Sequence, residues 1–159
     1  MTDSELDIVT GILKAGRTAS VTTRTAEGAL HSRPLAIVED DFAGTMWFFT
    51  RDPSAKTADI AQHPEVNVSV GDGKGWLSMS GTATVSRDQA RIDKYWNPWA
   101  EAYFENGRDD PAVALLEVDV STIEYWDLDK PAVVQAFEVL KGIVTRKAPD
   151  VGDSGTITL

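Results

Sequence analysis

The sequence predicts a mainly β domain with flanking helices, built as an antiparallel barrel of six strands. Six segments are rich in β-branched and aromatic residues or alternate between apolar and polar positions, as strands do. Turn segments containing glycine or aspartate separate most of them at regular spacing, and strands joined by hairpins in this way favour a barrel. With 159 residues and no repeat or linker, the chain is expected to form one domain over residues 1–159.

The predicted strands are distributed along most of the chain. They cover residues 17–25, 30–39, 45–51, 66–70, 76–86 and 112–127. The second contains Pro34, which has no N–H for a sheet hydrogen bond, so this strand should lie at an edge or carry a bulge there. In the fifth, Gly81 indicates a bulge or a close approach of another backbone segment.

Helices are predicted near both ends of the chain and in two internal segments. They cover residues 3–15, 55–62, 88–105 and about 131–144. The first and last have apolar residues at helical spacing along one face. The third should break at Asn97-Pro98, because the residue before a proline avoids helical geometry. The tail, residues 147–159, is rich in glycine and aspartate and is predicted to be flexible.

Composition and charge exclude several classes of function. The net charge of −10 argues against nucleic acid or an anionic membrane as the main partner. No apolar run approaches the roughly 20 residues of a membrane span, and the first residues are acidic where a signal peptide would be basic, so a cytoplasmic location is expected. The chain has no cysteine, and His31 and His63 lack the spacing of metal ligands, so no metal site is predicted.

The residues best suited to bind a ligand lie where the third predicted strand meets the second predicted helix. Asp52 and Ser54 can cap that helix. A helix N-terminus carries partial positive charge and normally attracts acids, yet Arg51 and Lys56 flank this one, beside the hydroxyl of Thr50. A phosphate held by exposed N–H groups, hydroxyls and a lysine would explain these cations. The alternative interpretation is that both basic side chains point into solvent.

A second distinctive segment, residues 95–104, is dense in aromatic residues. We interpret it as a cover over the core or an interface, in preference to direct contact with a ligand.

Several of these segments resemble the pyridoxamine 5′-phosphate oxidase-like superfamily of flavin-binding split β-barrels. They are HSRPLA (31–36), WFFTRDPSAKTADIAQHPEVNVSV (47–70) and SGTATV (80–85). The blocks WNPWAEAYFENGRDDP (96–111) and EYW (124–126) are similar to its general stress protein subfamily. The resemblance implies a homodimer that binds FMN at the subunit interface.

The resemblance, together with the strand interruption at Pro34, indicates a set of cofactor-binding residues. They are Arg33, Pro34, Phe49, Thr50, Arg51, Ser54, Lys56, Trp76 and Trp126. By their positions in the motifs, Arg33, Ser54 and Lys56 correspond to contacts in the flavin phosphate region. Trp76 corresponds to a contact with the flavin ring, and Trp126 to an aromatic residue that reaches the ring across the dimer.

The sequence departs from the oxidases in two places. Ala55 stands where they commonly have arginine, and Arg51 would replace that phosphate contact. Residues 127–131 also lack the Arg-x-His run that holds pyridoxal phosphate, so vitamin B6 oxidase activity is not expected. The resemblance therefore implies an FMN-dependent oxidoreductase of unknown substrate and redox partner. The alternative is a flavin carrier, store or sensor without turnover, and a deazaflavin or haem remains open in place of FMN.

Overall fold

The computed structural model of the chain describes residues 1–39, 41–128, 132–147 and 152–159, with the backbone alone for residues 132–137. In chain order, the elements are α1 (Asp3–Gly16), β1 (Thr18–Arg24), β2 (Leu30–Ala36), β3 (Thr45–Arg51), α2 (Ala55–Gln62), β4 (Glu65–Gly71), β5 (Gly75–Ser86), α3 (Gln89–Tyr95), α4 (Pro98–Tyr103), β6 (Val113–Asp127), α5 (Ala132–Thr145) and β7 (Asp153–Thr158). None of the helices in these ranges is long and apolar enough to cross a membrane.

The strands form one antiparallel sheet in the order β2-β1-β4-β5-β6-β3. β6 is unusually long, and two strands share one of its edges: β3 pairs with residues 113–119 and β7 with residues 122–127. Among the described residues no ladder joins β2 to β3, which are the two ends of the strand order. The sheet is therefore open between them, and the predicted antiparallel split barrel is confirmed.

Two groups of apolar side chains stabilise this sheet. The larger lies on its concave side, where Val9 and Leu13 of α1 pack with Val21, Phe48 and Leu77 of the strands. The smaller lies on the other face of β3 and β6, beneath α3 and α4. β3 is thus buried on both faces, which accounts for its continuous apolar and aromatic sequence.

The predicted flexible tail is wrong for residues 153–158, which form β7. The six predicted strands accordingly become seven. Ile157 is 4% exposed and lies in the main core. Gly155 contributes to the glycine content that predicts flexibility, but a Cβ at this position would lie 2.7 Å from the Tyr125 hydroxyl oxygen. The glycine therefore lets β7 lie close to β6 beside the Tyr125 ring.

Three local predictions are confirmed. Pro34 lies in β2, at an end of the strand order. The register of β5 against β6 shifts between Ser80 and Gly81, where a side chain would collide with the backbone of Asp119. The predicted helix is broken between Tyr95, where α3 ends, and Pro98, where α4 begins, and Asn97 caps α4.

Candidate functional site

The start of α2 is capped within its own first turn. Ser54 Oγ accepts a hydrogen bond from the Thr57 N–H at 3.3 Å, and Thr57 Oγ1 accepts one from the Ser54 N–H at 2.9 Å. The first turn contains no acidic residue, although acids are the residues that a helix N-terminus favours. Lys56, the second residue of the helix, stands there instead.

Lys56 turns back towards β3 and donates a hydrogen bond from Nζ to Thr50 Oγ1 at 2.6 Å. Thr50 is 2% exposed and faces the concave side of the sheet, because Phe48, two residues earlier, lies in the main core and alternate strand residues share a face. The ammonium group is thereby held at the concave side of the barrel rather than extended into solvent.

Arg33, on β2, is held by a buried threonine in the same way as Lys56. Its Nη1 donates to Thr23 Oγ1 at 2.7 Å and lies 3.5 Å from the carbonyl oxygen of Val21. Thr23 is fully buried. Each of the two cations therefore binds a buried threonine hydroxyl, which is a neutral acceptor and leaves the positive charge uncompensated.

The two cations are close enough to influence each other. Burial lowers the pKa of Lys56, and the positive charge of Arg33 lowers it further. Within the described part of the chain, neither side chain has a carboxylate within 4.0 Å. Two unpaired cations beside a helix N-terminus in an acidic protein form a site whose donors suit a phosphate. We call Arg33, Lys56, Thr50 and Ser54 the cation cluster.

Phe49 and Arg51 lie on the opposite face of β3 from Thr50. The Phe49 ring makes an edge contact with Trp96, with 5.5 Å between centroids. The Arg51 guanidinium lies 5.2 Å from the centre of the Phe104 ring. The structure therefore does not bring these two predicted site residues together with the cation cluster. Their predicted contacts with the cofactor stay predictions.

Trp76 and Trp126 are cross-strand neighbours on β5 and β6. They are 50% and 42% exposed, respectively. The Trp76 ring packs on Gly71, where any side chain would collide with it. This tryptophan also borders an open groove of about 330 Å³ lined by Thr18, Ala19, Ser20, Ser32, Arg33, Pro34, Ser69 and Gly71. The Arg33 side chain itself faces the concave side, as does that of Leu35, whereas Ser32 and Pro34 face the groove on the outer side of the sheet.

Comparison with known proteins identifies the family. A family model described as pyridoxamine 5′-phosphate oxidase like matches residues 4–150. The chain belongs to this family.

Three relatives of this family member extend over most of its length. A solved structure from Jannaschia sp. CCS1, assigned to general stress protein 26, is 25% identical, with a TM-score of 0.78 and 100% of both chains covered. The general stress FMN/FAD binding protein of Xanthomonas citri is 29% identical, with a TM-score of 0.72, and the match covers 82% of this chain and 93% of that one. Protein bli-3 of Neurospora crassa is 28% identical over 164 aligned positions, which cover 94% of this chain and 77% of that protein.

In this oxidase-like chain, the aromatic segment 95–104 has two different sides. Tyr95 and Phe104 are buried with Trp47, which supports the interpretation that the segment covers the core. Trp99 and Tyr103 are 81% and 64% exposed.

Sequence analysis did not identify two contributors to the site of this family member. Thr23, which holds Arg33, could have been found, since it follows the buried positions Ala19 and Val21 at a spacing of two. Arg87 had no such signal. Its Nη2 donates to the Asp52 carboxylate at 2.6 Å and to the Asp52 carbonyl oxygen at 2.9 Å.

Proposed function

We propose that the protein binds FMN, with the flavin phosphate at the cation cluster. The observation that carries this proposal is the proximity of Arg33 and Lys56, whose charges no described carboxylate compensates. Both cations and the hydroxyls of Thr50 and Ser54 would hold the phosphate, and its negative charge would relieve their mutual repulsion.

The groove that Trp76 borders lies on the outer side of the sheet, so a flavin whose ring occupied it would reach the cation cluster around the edge strand β2. The groove volume of about 330 Å³ is within the range of small-molecule sites. Trp76 would contact the flavin ring from the groove edge. The relative from Xanthomonas citri that is named an FMN/FAD binding protein, at 29% identity, also supports a flavin. The flavin would supply the redox chemistry, and the chain would supply binding, orientation and electrostatics.

We further propose that the protein works as a homodimer. Exposed apolar side chains include Trp76 and Trp126 beside the groove and Leu140 and Val144 on α5. A second copy of the chain would cover such surfaces, and a stable dimer is expected to bury about 1,600 Å² or more in total. Sedimentation equilibrium at micromolar protein would test this, because a mass of 17.3 kDa independent of concentration would contradict it.

Comparison of FMN with riboflavin tests the phosphate site, because riboflavin lacks the phosphate. Quenching of flavin fluorescence reports both affinities. In a variant with Arg33→Ala and Lys56→Ala, we expect FMN to bind about 10²–10⁴-fold more weakly, since hydrogen bonds to charged groups contribute about 1.5–3 kcal/mol each. Riboflavin affinity should change little.

The matched control removes two positive charges elsewhere. Lys14→Ala with Arg24→Ala changes the net charge equally, and neither side chain bonds to the cation cluster. Unchanged FMN affinity in the Arg33 and Lys56 variant, or an equal loss for riboflavin, would contradict the phosphate assignment. An absorbance spectrum of the purified protein with haem or deazaflavin bands would redirect the proposal to that cofactor.

We infer an oxidoreductase function from the redox chemistry that a bound flavin supplies. Reduction of protein-bound FMN by NADH or NADPH, followed by reoxidation over many cycles, would support it. Bound flavin that neither donor reduces would favour the carrier, store or sensor alternative.

A further inference from the structure

Arg87, in the connection between β5 and α3, bonds to two separate segments of the chain. Its Nη2 contacts both the carboxylate and the carbonyl oxygen of Asp52, and its Nη1 donates to the carbonyl oxygen of Pro111. Asp52 lies in the turn between β3 and α2, and Pro111 precedes β6. The guanidinium, with its fork of donors, therefore joins this turn to the start of β6.

The same turn is held a second time by the backbone. The Asp52 N–H donates to the carbonyl oxygen of Ala112 at 3.0 Å, which continues the pairing of β3 with β6 by one residue. The backbone alone thus fixes the end of β3. Of the three bonds from Arg87, the one to the Asp52 carboxylate holds a group that this backbone tether leaves untouched.

That carboxylate lies beside the first turn of α2. A hydrogen bond from the Thr57 side chain, and then the contact with Arg87, lower the pKa of Asp52, so the group is negatively charged at neutral pH. Thr57 is adjacent in sequence to Lys56 and bonds to Ser54. A negative charge at this end of the helix opposes the binding of an anion at the cation cluster unless a cation compensates it.

We propose that Arg87 is a positioning residue for the phosphate site, which compensates the charge of Asp52 and orients the turn that presents Ser54 and Lys56. This inference rests on the proposed binding of FMN. Arg87 itself does not touch the phosphate in this assignment. It acts through Asp52, so the two residues should have opposite effects on the affinity for FMN.

The test compares variants of these two residues in the full chain, with FMN and riboflavin as the probes. We expect Arg87→Gln to weaken FMN binding about tenfold, because it leaves the Asp52 charge uncompensated near the phosphate. Asp52→Asn should bind FMN as tightly as the unchanged protein or more tightly. Adding Asp52→Asn to Arg87→Gln should recover most of the lost affinity, and riboflavin should bind all these variants about equally.

Arg108→Gln is the matched control, because it removes one arginine charge and breaks a contact of 3.4 Å with Asp93 on another part of the surface. It should leave FMN affinity unchanged. The ³¹P resonance of bound FMN gives an independent signal, which we expect to shift in Arg87→Gln and to return in the double variant. Thermal unfolding of every variant verifies that the protein is folded.

Three results would overturn the proposal. FMN affinity unchanged in Arg87→Gln would show that Arg87 does not serve the site. Equal losses for FMN and riboflavin in Arg87→Gln, with no recovery on adding Asp52→Asn, would show that the ion pair is only structural. If the unchanged protein does not prefer FMN to riboflavin, the phosphate site itself is wrong, and the role of Arg87 is overturned with it.

Discussion

Replacement of Ile157 by alanine tests whether the last strand belongs to the core. Ile157 is 4% exposed and packs with the main apolar cluster. The substitution removes three carbon atoms, and truncation of a buried isoleucine to alanine typically costs about 2–5 kcal/mol. Among the described strands, β7 pairs with β6 alone, and it can move inward to fill part of the cavity. We therefore expect a loss of about 2–3 kcal/mol in the free energy of unfolding.

Urea denaturation measures this loss. For a slope of about 2 kcal/mol per molar urea, the midpoint should fall by roughly 1–1.5 M while the slope stays constant. Thr156→Ala is the control, because this residue is on the same strand but exposed, and it should cost less than about 1 kcal/mol.

Hydrogen exchange supplies a second measurement. Amides of β7 that bond to β6 should be protected in the unchanged protein and should exchange faster in Ile157→Ala. A loss below about 0.5 kcal/mol, together with unprotected amides in residues 153–158, would refute the packing of β7 and favour the flexible tail that composition predicted.

Two further predictions concern the site. Burial and the charge of Arg33 lower the pKa of Lys56, so FMN affinity should begin to fall at a pH below the ordinary lysine value of about 10.4, and FMN binding should take up protons in that pH range. The variant Lys56→Arg should lack this decline, and an identical decline in both proteins would exclude Lys56 as its cause. Gly71→Ala should displace the Trp76 ring, change tryptophan fluorescence and weaken riboflavin and FMN alike, whereas Gly11→Ala, which meets nothing within 4 Å, should leave both affinities unchanged.

Local patterns in the sequence were sufficient for most elements. The apolar run of β3 and the cap at Ser54 predicted residues 45–51 and 55–62 with the bounds that the structure shows. Such patterns reflect interactions within a few residues, which the sequence displays directly. β7 was missed because composition suggested flexibility, whereas the packing of Gly155 beside Tyr125 depends on a partner 30 positions away.

The site required information that local patterns do not contain. Arg33 and Lys56 belong to different elements, β2 and α2, and only the folded structure shows that the charge of one acts on the other. Arg87 reaches Asp52 across 35 positions with no motif around it. Alternation along β3 did contain one warning, since Phe49 and Arg51 cannot share a face with Thr50 in a regular strand.

The open side of the sheet has a mechanical consequence. No backbone ladder joins the described residues of β2 to those of β3, so the width of this gap is not fixed by the spacing of hydrogen-bonded strands. Arg33 and Lys56 approach from its two sides, and their repulsion acts to widen it. An anion between them would attract both side chains, so the gap between β2 and β3 would be narrower and stiffer in the protein with bound anion than in the protein without it.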